Sequence, residues 1–100
     1  MKNFRTYQLA VEFYKKSKKL NLKENLKNQF ERASSSIALN LAEGSGKFSS
    51  KDKCRFYKIA FGSLRECQSI LTITENEESD LYNNLDILGA SLYKLIKATR

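Results

Sequence analysis

The chain has no proline, no histidine and no tryptophan, and only four glycines and two cysteines in 100 residues. Without proline and with little glycine, nothing punctuates long helices, and a turn-rich β protein is disfavoured. Without histidine, the Glu-x-x-His pairs of di-iron bundles and the mixed Cys/His sites of zinc proteins are excluded. The two cysteines, Cys54 and Cys67, fall in one predicted helix. There they stand about 20 Å apart along its axis, too far to bridge, and read as reduced, buried thiols. No apolar run reaches the roughly 20 residues of a membrane span. The opening MKNFRTYQLAVEF lacks the apolar stretch and small residues of a secretory signal, so a cytoplasmic location is expected.

What the chain does have is charge, unevenly spread. The net charge is +7. Residues 1–27 carry eight basic and two acidic side chains, and residues 75–86 carry five acidic and none basic. Arg5, Lys15, Lys16, Lys18, Lys19, Lys23 and Lys27 form the basic region. It is a candidate contact for RNA or DNA phosphates, or else the solvated face of a soluble helix.

Four periodic segments fill the sequence, with no repeat and no low-complexity tail. The first, about 3–20, carries one stripe of Phe4, Tyr7, Ala10, Val11 and Tyr14, and a second of Leu9, Phe13 and Leu20. Two stripes imply two burial surfaces, one of them a partner subunit or a second side of the same core. Leu9 and Phe13, with the outward-pointing Leu39, are therefore candidate oligomer contacts. The second segment, about 26–43, buries Leu26, Phe30, Ala33, Ile37 and Leu41, with Asn21 or Asn25 as its cap. Gly44 reads as its left-handed terminus. The third, about 50–74, buries Phe56, Ile59, Ala60, Leu64, Cys67, Ile70 and Leu71, and Ser49 to Asp52 reads as a capping box. The fourth, about 80–98, alternates Leu81, Leu85, Leu88, Leu92, Leu95 and Thr99, the seam of a left-handed bundle. One domain over 1–100 is expected, an all-α, antiparallel up-down-up-down four-helix bundle.

A polar set lies beside the two central stripes: Arg32, Ser36, Asn40 and Glu43, then Gly62, Ser63 and Glu66. It reads either as a network fixing helix register or as a ligand-contacting strip. Gly62 in mid-helix implies a close helix crossing, and Ser63 needs a partner such as a carbonyl one turn back. Glu43 and Glu66 could meet across the two helices, but pairing with Arg32, Arg55 or Arg65 explains them without catalysis. The GSGK of residues 44–47 is no phosphate loop, since Phe48 follows the lysine and no strand precedes. No catalytic residue, metal site or cofactor is expected.

The central stretch resembles a bacterial family, the four-helix-bundle proteins encoded in intervening sequences of 23S ribosomal RNA genes. The resemblance rests on Gln29, Arg32, Ala33, Ser36, Ile37, Asn40, Ala42, Glu43, Gly44 and Gly46. It continues through Arg55, Phe56, Ile59, Ala60, Gly62, Ser63, Leu64 and Glu66. It implies an antiparallel bundle that assembles as a homopentamer, and a likeness to the nucleic-acid-binding accessory protein of diversity-generating retroelements. It assigns no chemistry to the matched polar residues. Glu31 and Lys47 stand where the family's pattern has arginine, which weakens a phosphate grip on that face. The function expected is non-enzymatic: an oligomeric bundle binding structured RNA or DNA. The alternative is a scaffold for a protein partner.

Overall fold

Apolar residues at three-and-four spacing need a common face, and four such segments close on one another. The computed structural model describes residues 4–100, and of Phe4 only the backbone. Asn3 and the Phe4 side chain, both placed in the first helix by the sequence, lie outside the described residues. Four helices form: α1 (Phe4–Ser17), α2 (Glu24–Ser45), α3 (Ser50–Ile73) and α4 (Asp80–Thr99). Sequential neighbours pack together, and α4 closes back on α1, while among the described residues the diagonal helices bring no Cα atoms within 8 Å of each other. Short connections make each neighbour antiparallel, so the fold is the expected up-down-up-down bundle. Its long dimension is 40 Å and its cross-section 22 × 19 Å.

Local chemistry sets the helix ends. Ser49 caps α3, its hydroxyl accepting from Asp52 N–H at 3.1 Å, as the sequence predicts. Neither Asn21 nor Asn25 caps α2; Lys23 holds that position without a side-chain bond. Gly44 is not a left-handed terminus. It stays inside α2, where a Cβ would stand 2.7 Å from Tyr57 Cε1, so glycine serves a close crossing there. The left-handed residue is instead Glu75, φ 59°, after α3. Asn76 N–H donates to Leu71 O at 2.7 Å across it, the bond of a Schellman motif.

The core differs from expectation mainly in α1. That helix buries Thr6, Ala10, Phe13 and Ser17, a stripe lying between the two predicted ones. Tyr7, Val11 and Tyr14 flank it, half-buried. Thr6 and Ser91 hydroxyls bond at 2.6 Å against α4, and Ser17 donates to Ser34 at 3.4 Å against α2. Phe13 is 1% exposed, its ring edge-on to Phe30 with centroids 5.9 Å apart. Phe13 is therefore a core residue and not an oligomer contact. In α3, Tyr57 and Cys54 are buried, whereas Ile59 is 45% exposed. In α4 the seam drifts in its last turn, so Ile96 is buried where Leu95 was expected, as 3.6-residue periodicity demands over five turns. Both cysteines are free and buried.

Candidate functional site

The α1–α2 corner collects the basic region. Lys15 and Lys16 lie in the last turn of α1, and Lys18 and Lys19 in the turn closed by Lys19 N–H to Lys16 O at 3.1 Å. Lys23 precedes α2 and Lys27 follows in its first turns. All six are exposed. None reaches a carboxylate; among the described residues the ion pair formed is Lys47 to Glu43, 3.2 Å. Lys18 lies 4.7 Å from the Tyr14 ring centroid. Arg5 is exposed too, but it sits ten residues before Lys15, about 15 Å down the helix. The structure thus gathers six of the seven predicted cations and leaves Arg5 apart.

The polar motif lies on the outer side of the α2–α3 junction. Ser63 Oγ donates to Ser36 Oγ at 2.9 Å, not to a carbonyl of its own helix. Asn40 Nδ2 donates to the same hydroxyl at 3.0 Å and to Ser36 O at 2.9 Å. Three side chains from two helices are thereby satisfied at one point. Ser36 meets Ser63, and Gly44 meets Phe56 and Tyr57, so facing residue numbers add to about 100. Glu43 and Glu66 are then about nine residues out of register, roughly 14 Å along the axis. They do not meet. Glu43 pairs with Lys47, and no arginine pairs with either carboxylate: Arg55 and Arg65 lie over the Phe56 and Phe61 rings, at 4.6 and 5.2 Å. Arg32 and Glu66 are exposed. Gly62 is exposed, and nothing lies within 4 Å of its would-be Cβ. The helix crossing expected at Gly62 is made by Gly44 instead.

Of the candidate oligomer contacts, Leu39 is 67% exposed beside this junction. Leu9 is half-buried against the core on the α1–α4 side, lining a cleft of about 30 Å³ with Asn84 and Ile87. Sequence reasoning missed the role of Phe56, whose ring carries Lys47 at 5.1 Å as well as Arg55. Nothing in helical periodicity marks a half-buried ring as a seat for two cations.

Burial dominates the titration of two groups. It pushes the Cys67 thiol up to about 12, with a smaller contribution from the Glu66 carboxylate beside it. It also raises the Tyr57 phenol. Both are held neutral, the reverse of an activated nucleophile. Among the described residues no three Cys, Asp or Glu side chains come together as a metal cluster.

These features define a class: a small antiparallel helical bundle with an apolar core and its polar motif on an outer helix junction. The family model of the 23S rRNA-intervening sequence protein matches residues 4–97, and the chain belongs to that family. No curated protein matches it. Among the described residues no helix is long and apolar enough to cross a membrane.

Proposed function

We propose that this protein is a cytoplasmic, non-enzymatic, self-assembling bundle that binds RNA or DNA through backbone phosphates. The observation that carries the reading is the α1–α2 corner: Lys15, Lys16, Lys18, Lys19, Lys23 and Lys27 are exposed there, and none forms an ion pair within 4 Å among the described residues. Such a cluster releases counterions when phosphates replace them, so binding is salt-steep and poor in sequence preference. The test is fluorescence anisotropy of labelled structured RNA and duplex DNA at about 50 and 200 mM salt. Changing Lys15, Lys16, Lys18 and Lys19 to glutamine should weaken binding and flatten the log–log salt slope by about 3–4. Unchanged affinity in that variant would refute the proposal.

A protein-interaction scaffold is the second reading. Leu39 and Ile59 are 67% and 45% exposed at similar heights on α2 and α3, near the open Gly62. Apolar groups around an already satisfied polar network suit a neighbouring subunit, in line with the homopentamer that the resemblance implies. Light scattering of the wild type and of Leu39→Lys tests self-assembly. A single protein recovered by pull-down after nuclease treatment would favour a foreign partner.

A further inference from the structure

The outer junction of α3 and α4 is a basic, aromatic-lined groove. Its lower part is a cleft of about 510 Å³ between the start of α3 and the end of α4, lined by Lys51, Arg55, Lys58 and Arg100. The lining carboxylate there is Asp52. Lys58 also lines the next cleft, about 330 Å³, together with Phe61, Arg65, Tyr93 and Ile96. The two clefts are therefore neighbours with Lys58 between them. Arg65 leads on to a third cleft beside Tyr82, beyond which stands the acidic connection of Glu75, Glu77, Glu78 and Asp80. The side chains lining the lower two clefts include five cations and one carboxylate.

The cations and rings are arranged in order. Lys51, Arg55, Lys58 and Arg65 follow at spacings of four, three and seven on one face of α3, spread over about 21 Å. Each aromatic has a cation beside it: Arg65 lies 5.2 Å from the Phe61 ring and Lys97 lies 5.6 Å from the Tyr93 ring. Tyr93 is 52% exposed. A row of cations tracks a phosphate backbone, and an accessible ring in the same groove stacks bases. Paired bases are hidden inside a duplex, so a ring set in a groove reaches only unpaired ones.

We infer that the lower α3–α4 groove binds an unpaired stretch of nucleic acid, roughly four nucleotides long, with phosphates along the α3 cations and a base on Tyr93. This rests on the nucleic-acid reading above and adds a site away from the α1–α2 corner. The acidic connection repels the strand at the upper end and limits the site's length.

The test uses the full chain, a labelled oligothymidine of about a dozen nucleotides and a blunt hairpin duplex, at about 50 mM salt. Tyr93→Ala should weaken single-strand binding about 5- to 150-fold, with Tyr93→Phe close to wild type and duplex affinity unmoved. Lys58→Gln with Arg65→Gln, both exposed positions, should weaken single-strand binding without touching the core. If Tyr93→Ala melts early, that double variant decides, and unchanged binding in it overturns the inference. Equal loss for duplex and single strand in Tyr93→Ala also overturns it. So does a change in assembly mass in Tyr93→Ala with unaltered binding, which gives the groove to a neighbouring copy. If the wild type binds neither probe, the broader nucleic-acid proposal fails as well. If binding vanishes only with the Lys15, Lys16, Lys18 and Lys19 changes, the groove inference alone fails.

Discussion

Phe13 shows how a single residue can be misread from its pattern. Its spacing from Leu9 and Leu20 marks a second apolar face, yet its ring lies inside the bundle on Phe30. Phe13→Ala should therefore cost about 3–5 kcal/mol of stability. Chemical denaturation measures that loss, and a stability change near zero would restore the interface role. The Cys67 thiol gives a pH dependence. Its folded value is raised to about 12 from an ordinary 9.0. The folded state thus holds the proton more tightly, and the contribution is complete below pH 9. It should fade as pH rises from 9 towards 12, with Tyr57, also raised, acting in the same direction. Denaturation midpoints in that range should fall more steeply for the wild type than for Cys67→Ala.

Helices α2 and α3 are the pair whose sequence said most and whose geometry it said least about. Element number, order and rough extent were legible, because each apolar stripe is long and strongly periodic. Which glycine makes the crossing was not. Gly44 and Gly62 differ only in what stands opposite, a property of register that no single helix encodes. Gly44→Ala should destabilise the bundle by more than 1 kcal/mol, because the Tyr57 ring and the Phe56 Cβ must both yield. Gly62→Ala meets open space and should stabilise by about 1 kcal/mol. Thermal melts of the two variants should move in opposite directions, and a fall in both would place an unseen contact at Gly62. In α1 the core stripe was hidden because Thr6 and Ser17 supply two of its four buried positions. Hydroxyls satisfied across helices are invisible to an apolar pattern. For the candidate site, the basic corner could be read from composition. The Ser36–Asn40–Ser63 junction was visible as residues but not as bonds, and the α3–α4 groove was not visible at all. Its parts come from two helices that sequence alone does not set side by side.

At the scale of the molecule, charge is spread over the surface with almost no pairing, since Lys47 and Glu43 form the ion pair found among the described residues. Stability must come from the apolar core, and the cations remain available for a polyanion. The same architecture leaves two buried thiols on α3: Cys54, 6% exposed, four residues after its start, and Cys67, fully buried, six residues before its end. A thiol can react with a disulfide reagent only after its surroundings open. Cys54 should thus report brief fraying at the start of α3, and Cys67, with no exposure at all, a rarer and larger opening. Tagging rates measured on the two single-cysteine variants would separate these events without a denaturant. A strand bound in the groove beside Cys54, which lines the lower cleft, would slow the first rate directly, so the protein carries its own footprinting probe.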